Sequence, residues 1–151
     1  MSNIPNFNSD GNLPPGIHET DWESFVENFG YNSKRKMLIG GLKKGLNDLS
    51  TAGCNTVYID GSFVTTKELP GDFDACWSEI NVDLSKLNPV LKIFDNHRAA
   101  QKAKYYGEFF PAIFIAEPIS STMFLDFFQK DKNTGKQKGI IKLNLDSYDK
   151  K

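Results

Sequence analysis

Two short segments joined by a turn constrain the fold of this chain more than any other feature of its sequence. Residues 56–59 are mostly β-branched or aromatic, and the Gly61-Ser62 pair after them is typical of a tight turn. Residues 72–77 begin with alternating acidic and apolar side chains, which is the pattern of a half-buried strand. We therefore expect two neighbouring strands, with Gly61 and Ser62 on their connection.

The second of these strands carries a pair of acids. Asp72 and Asp74 are two positions apart, so on a strand both side chains project from the same face. Adjacent carboxylates repel unless a cation lies between them, and Mg²⁺ is commonly held by one or two carboxylates together with substrate phosphates. The pair predicts a Mg²⁺ site with Asp72 and Asp74 as ligands. The alternative is a solvent-facing edge strand, on which acids discourage pairing with another chain.

The connection between the strands carries candidates for binding phosphates. Gly61 would let the backbone approach them closely, and Ser62 can donate its hydroxyl and its backbone N–H. Lys67 would neutralise part of the charge of a triphosphate. We therefore assign Gly61, Ser62 and Lys67 to nucleotide binding. The alternatives are that Ser62 only completes the turn and that Lys67 is an ordinary surface lysine.

The chain of 151 residues has the length of one ordinary domain, and no repeat or linker divides it. Residues 1–16 contain repeated Asn, Pro and Gly, which predicts a flexible or extended N-terminal arm. Residues 17–147 form the predicted domain, and residues 148–151 form a polar tail. Thr20 and Glu23 predict a capping box at the start of the first helix.

Apolar periodicity predicts the other elements. Asn32 or Ser33 would cap a second helix. Its apolar stripe is formed by Leu38, Leu42, Leu46 and Leu49. Its interior contains the glycines Gly40, Gly41 and Gly45. Those glycines weaken a helix but permit close packing. Later segments predict a helix over about 97–106, a strand from 109 or 110 to 116, a helix capped by Ser120 or Ser121, and a last strand opening at Gly139. This order predicts an α+β fold, an α/β sandwich in which helices pack on a small mixed sheet.

Charge and cysteine content limit the classes of protein to which this chain can belong. With 18 basic and 19 acidic residues, global charge does not predict nucleic-acid binding. Basic clusters at residues 34–36 and 98–104 are either solvated helix faces or groups that steer phosphates toward the acids. The only cysteines are Cys54 and Cys76, and no apolar run approaches the roughly 20 residues of a membrane span. We expect a cytoplasmic protein with free thiols.

The acidic block resembles the core motif of the polymerase-beta-like nucleotidyltransferase superfamily, in which a Gly-Gly or Gly-Ser turn precedes an acidic-apolar-acidic strand. Gly61, Ser62, Asp72 and Asp74 match that motif, whereas Asp60 stands where the motif has an apolar residue. Most of the chain also resembles a bacterial and phage family of small nucleotidyltransferase-like proteins. The segments that carry this likeness are residues 13–18, 60–77, 98–104, 109–112 and 127–131.

The resemblance implies a Mg²⁺-dependent nucleotidyltransferase-like protein. Such a protein would bind a nucleoside triphosphate and transfer its nucleotidyl group to a hydroxyl of RNA or protein. Active members of the superfamily usually carry a third carboxylate on a neighbouring strand, for which Glu117 and Glu108 are the candidates here. We assign Glu117 to the catalytic set together with Asp72 and Asp74.

The same resemblance is compatible with a protein that has lost catalysis. Neither Glu117 nor Glu108 lies in a decisive motif, so the fold can also serve an interaction protein. Such a protein would be an antitoxin-like partner, as in a toxin-antitoxin pair, or a regulatory subunit in a bacterial or phage defence system. The expected partners are therefore a nucleoside triphosphate, an RNA or protein acceptor, or a second protein, and not a membrane.

Overall fold

The computed structural model of this chain describes residues 4–112, 115–117, 122–130 and 134–145. The strands within these ranges are β1 (Gly16–Thr20), β2 (Thr56–Asp60), β3 (Phe73–Trp77), β4 (Gly107–Pro111), β5 (Ile115–Glu117), β6 (Thr122–Met123) and β7 (Gly139–Asn144). The helices are α1 (Trp22–Phe29), α2 (Ser33–Thr51), α3 (Asp95–Tyr105) and α4 (Phe124–Phe127), and short 3₁₀ turns lie at Ser62–Val64 and Pro89–Lys92.

Five strands form one mixed sheet in the order β1-β7-β2-β3-β4. The outer pairs, β1 with β7 and β3 with β4, are parallel, whereas β2 runs antiparallel to both of its neighbours. β5 and β6 form a separate antiparallel pair. The fold is therefore α+β, with a five-stranded mixed sheet, and the predicted pairing of β2 with β3 is confirmed.

The first two helices begin at side-chain caps. Asp21 caps α1, since its Oδ1 accepts a hydrogen bond of 2.7 Å from the Ser24 amide. The capping box predicted at Thr20 is wrong, because Thr20 still pairs with Leu143 as the last residue of β1. Asn32 caps α2 by accepting from the Arg35 amide at 2.8 Å, as predicted.

The apolar stripe of α2 is buried, as its spacing predicts. Leu38, Leu42, Leu46 and Leu49 are each at most 1 % exposed. The interior glycines differ in role: a methyl group on Gly41 or Gly45 would collide with Tyr105 or Phe109, whereas one on Gly40 would meet nothing within 4 Å. Close packing at two of the three glycines is therefore confirmed.

Later elements have other bounds than the sequence predicts. The strand expected up to residue 116 is interrupted after Pro111: β4 ends there, the Ala112 amide donates to the Trp77 carbonyl, and β5 joins β6 in the other sheet. Residues 89–92 form a 3₁₀ turn, and α3 follows from Asp95. The caps predicted at Ser120 and Ser121 lie outside the described residues.

The described part of the N-terminal arm packs on the domain. Leu13 is 1 % exposed, and its carbonyl accepts from the Gly139 amide at 3.0 Å. The Gly11 carbonyl accepts from the Thr66 amide at 2.9 Å. Residues 4–15 lie outside the helices and strands, but these contacts make them part of the domain's surface and core. The predicted polar tail, residues 148–151, lies outside the described ranges.

The main core lies between one face of the sheet and helices α1 to α3. Val57 and Ile59 of β2 and Phe73 and Ala75 of β3 project into it. The opposite face carries a smaller apolar cluster beside α4, formed by Cys76, Phe110 and Ala112 with Tyr58, Phe124, Leu125 and Phe128 packed against it. Both cysteines are buried free thiols, as predicted. Among the residues described, no helix combines the length and apolarity of a membrane span.

Candidate functional site

Three carboxylates form a row across β2, β3 and β4, the last of which is an edge strand of the sheet. Asp60 on β2 is the register partner of Asp74 on β3, and Asp74 is the register partner of Glu108 on β4. Residues directly opposite each other on neighbouring strands project from the same face. Because Ile59, Ala75 and Phe109 face the main core, the row lies on the opposite face of the sheet.

Asp72 lies near this row, and its charge interacts with the carboxylates of the row. It lies just before β3, half-buried, and its charge helps to raise the pKa of Asp74. The pKa of Asp72 itself is raised, first by burial and then by the charge of Glu108. The structure therefore brings Asp72, Asp74 and Glu108 close enough for their charges to act on one another, and we call these three residues with Asp60 the acidic cluster.

Burial keeps the cluster partly protonated. The pKa of Asp74 is raised to about 7, first by burial and then by Asp72 and Glu108. Asp60 is fully buried, and burial together with the Asp74 charge raises its pKa well above the usual range. Its Oδ2 lies 3.9 Å from the Cys76 thiol, while its Oδ1 has no hydrogen-bond partner among the described residues. An unpaired buried oxygen of this kind is costly unless a proton or a cation satisfies it.

Basic side chains from several elements surround the acidic cluster. Glu108 forms ion pairs with Arg98 and with Lys102 of α3, the second at 3.2 Å. Lys102, Lys67 and Lys34 all favour the ionised form of Asp72, because their charges lower its pKa. The basic clusters that the sequence leaves open between surface and steering roles therefore contribute Arg98, Lys102 and Lys34 to this site.

Gly61 lets the β2–β3 connection pass close to the cluster. Its φ is +80°, and a Cβ at this position would lie 2.7 Å from Oδ2 of Asp74. A side chain here would therefore strain the backbone and displace the carboxylate. Ser62 opens the 3₁₀ turn and is half-buried, and Lys67 is exposed. The residues assigned to nucleotide binding thus lie on one loop, beside the carboxylates assigned to the metal.

Glu108 and Glu117 both remain candidates for the third carboxylate. Glu108 lies beside Asp74 in the sheet, a position that only the strand register reveals. The backbone of Glu117 belongs to β5 in the separate sheet, and its side chain is outside the part that the structure describes. Its catalytic role stays a prediction. The aromatic residues Tyr105 and Phe109 belong to the main core.

Hard carboxylate oxygens suit Mg²⁺, but the described residues do not enclose an ion by themselves. No group of three or more His, Cys, Asp or Glu side chains in the described ranges is placed to hold a metal. Two carboxylates with phosphate oxygens are a common Mg²⁺ environment. Asp72 and Asp74 supply two such carboxylates, and their oxygens have the chemistry of that environment.

Comparison with known proteins identifies the family and leaves the activity open. The model of a family described as "Family of unknown function (DUF6932)" matches residues 5–144. The chain belongs to this DUF6932 family. No curated protein and no solved structure matches this DUF6932 chain significantly. The case for a function therefore depends on the acidic cluster and its surroundings.

Proposed function

We propose that this DUF6932 protein is a Mg²⁺-dependent nucleotidyltransferase-like protein. It binds a nucleoside triphosphate and transfers the nucleotidyl group to a hydroxyl of RNA or protein. The observation that carries the proposal is the row of Asp60, Asp74 and Glu108 on three adjacent strands, next to the Gly61-Ser62 loop. Acids on adjacent strands repel one another, and this repulsion destabilises a partly buried row of like charges. A row that is present in spite of this cost is more typical of a binding or catalytic site than of structural salt bridges.

Each group has a task in such a reaction. Asp72 and Asp74 would hold Mg²⁺, which when bound neutralises phosphate charge. Lys67 and Lys34, whose charges act on Asp72, lie where they can attract the triphosphate. The Gly61-Ser62 loop supplies backbone and hydroxyl donors. Catalysis would consist mainly of positioning the reactants and stabilising charge.

The transfer itself replaces a phosphoanhydride bond of the triphosphate with a phosphate ester bond to the acceptor. The acceptor oxygen forms a bond to the α-phosphorus, the bond from that phosphorus to the bridging oxygen breaks, and pyrophosphate leaves. The acceptor hydroxyl loses its proton to a carboxylate. The two carboxylate oxygens of Glu108 are already paired, one with Arg98 and the other with Lys102. We therefore keep Glu117 as the proposed proton acceptor.

Removing the carboxylate pair should abolish nucleotide-dependent stabilisation. We expect ATP with Mg²⁺ to raise the melting temperature of the native protein, because a ligand at about 100 times its Kd stabilises by roughly 2.7 kcal/mol. The double variant Asp72→Asn with Asp74→Asn should show no such rise and should no longer label an acceptor from α-labelled ATP. Differential scanning fluorimetry with each nucleoside triphosphate, with and without Mg²⁺, measures the first effect.

The matched control for this double variant is Asp10→Asn. Asp10 is an exposed acid that pairs with Lys136 at 3.8 Å, and it lies outside the acidic cluster. This variant should respond to Mg²⁺ and nucleotide as the native protein does. A double variant that retained full nucleotide-dependent stabilisation would show that Asp72 and Asp74 do not form the site.

A non-catalytic interaction protein is the second candidate, and two observations favour it. Glu108 is neutralised by two cations, and the described residues hold no three-ligand metal group. A protein of this kind, such as an antitoxin-like or regulatory partner in a defence system, would co-purify with a second protein. It would also show no thermal response to nucleotides and would keep its partner after the carboxylates are removed.

A further inference from the structure

Arg35 is a fully buried cation that binds backbone rather than acids. Its side chain is 0 % exposed, and it forms no ion pair within the part of the chain that the structure describes. A buried charge is costly unless hydrogen bonds compensate it. The sequence places Arg35 in a basic cluster, residues 34–36, that is either a solvated helix face or a group that steers phosphates, so its burial is a property that the sequence pattern does not show.

Four backbone carbonyl oxygens compensate the charge. Nη1 donates to Phe29 at 3.1 Å and to Phe63 at 2.6 Å. Nη2 donates to Thr65 at 2.9 Å and to Lys67 at 2.5 Å. The first acceptor ends α1, and the other three lie in the loop that follows Gly61. Arg35 therefore ties this loop, residues 62–67, to the start of α2 and the end of α1.

Aromatic rings enclose the same guanidinium group. Its carbon lies 4.7 Å from the centroid of the Tyr31 ring and 4.9 Å from that of Phe63. The planar fork of an arginine is therefore fixed in orientation as well as in position. Since hydrogen bonds to a charged group are stronger than those between neutral groups, Arg35 holds the loop more firmly than ordinary turn contacts would.

The tie also determines which way the loop presents its side chains. The acceptors are alternate residues, 63, 65 and 67, and Thr65 has an extended conformation. With its carbonyl turned to Arg35, Lys67 keeps its side chain exposed, and its charge acts on Asp72. The buried side chain of Arg35 thus holds the loop from which the charge of Lys67 acts on Asp72.

We propose that Arg35 is a positioning residue, which holds the 62–67 loop so that Ser62 and Lys67 face the phosphates of a bound nucleotide. This role rests on the nucleotide binding proposed above. It differs from simple packing because an apolar side chain of equal volume can fill the space but cannot hold three carbonyl oxygens of one loop. Loss of Arg35 should therefore release the loop without disturbing β2 and β3.

Hydrogen exchange of the loop tests the tie without any ligand. In Arg35→Met we expect the amides of Val64, Thr65 and Thr66 to exchange about tenfold faster or more, with β2 and β3 unchanged. The control is Lys36→Met, which alters the exposed neighbour on the same helix and should exchange as the native protein does. Native exchange rates for the loop in a folded Arg35→Met protein, or equal loosening of the whole domain, would overturn the proposal.

The native protein supplies a measurement that does not depend on the variant folding. Held by four carbonyls, the Nη protons of Arg35 should give separate, slowly exchanging NMR signals at low temperature. A single averaged signal would overturn the tie.

Nucleotide affinity then tests the positioning role. Arg35→Lys keeps the charge but replaces the planar fork with one nitrogen. We expect its Kd for a non-hydrolysable ATP analogue with Mg²⁺ to rise about tenfold, and its affinity for Mg²⁺ alone to stay native, because Asp72 and Asp74 are untouched. An unchanged Kd in Arg35→Lys, with native binding intact, would overturn the positioning role only. No binding by the native protein would overturn the proposed function and the positioning role together.

Discussion

Replacing Gly41 by alanine should destabilise the protein by about 3 kcal/mol or more, the largest loss that we expect from adding one methyl group. A Cβ at Gly41 would overlap the backbone carbonyl oxygen of Tyr105 and lie 2.8 Å from the Tyr106 ring. A backbone carbonyl cannot move aside as a flexible side chain can. The end of α3 would therefore have to shift away from α2, and urea denaturation followed by circular dichroism measures the loss.

Gly40→Ala is the matched control, one position earlier on the same helix. Nothing lies within 4 Å of a Cβ there, so only the helix propensity changes, and alanine should stabilise by about 1 kcal/mol or less. Equal stabilities of the Gly40→Ala and Gly41→Ala proteins would show that α2 does not contact the end of α3 as described.

This contact matters for the site because α3 and β4 carry its basic and acidic groups. Arg98 and Lys102 lie on α3, and both pair with Glu108 at the start of β4. A Cβ on Gly45 would likewise enter the ring of Phe109, next to Glu108. The glycines of α2 therefore determine how closely the end of α3 and β4 pack against α2.

The second large effect is a loss of stability with rising pH that Asp74 causes. Its pKa is about 7 in the folded protein, against 3.8 for an ordinary aspartate. The folded state therefore holds one proton more than the unfolded state between these two values. Stability is highest below pH 4, falls as the pH rises through about 7, and is then constant with respect to this group. Since each unit is worth 1.36 kcal/mol, the fall between pH 5 and pH 8 should be about 2–3 kcal/mol.

Asp74→Asn removes the titrating group but keeps the shape of the side chain. In the absence of divalent cations, this variant should gain about 2–3 kcal/mol relative to the native protein between pH 5 and pH 8. Urea denaturation at several pH values measures both curves, and Asp10→Asn, an exposed acid, provides the control. A native stability that stays level or rises over this range, or parallel curves for the two proteins, would contradict the burial of Asp74 among acids.

Local sequence patterns were sufficient for β2, β3 and α2. The β-branched residues of β2, the alternation in β3 and the leucine stripe of α2 all have the period of the element that they form. The mixed α+β class follows from the order of these elements along the chain. The same patterns gave wrong boundaries where a neighbour decided them, as at Thr20, which pairs with β7 instead of capping α1.

The residues of the candidate site could be predicted only in part from patterns along the chain. The spacing of Asp72 and Asp74 marked them as a pair, and Gly61 and Ser62 as the turn beside them. It did not place Glu108 opposite Asp74, because strand register depends on contacts between residues far apart in sequence. Nor did the sequence predict that Arg35 is buried, because a run of three basic residues is typical of the surface of a helix.

By itself, the sequence determined that β2, β3 and α2 form and that Asp72 and Asp74 are two positions apart, since a side chain's period along the chain reflects the backbone geometry of its own element. Only the tertiary structure decided which charges meet. Strand register aligned Asp60, Asp74 and Glu108, and loop packing turned three carbonyl oxygens toward Arg35. Electrostatic and hydrogen-bond energies depend on distances across the fold, and those distances are fixed only when the sheet and helices pack together.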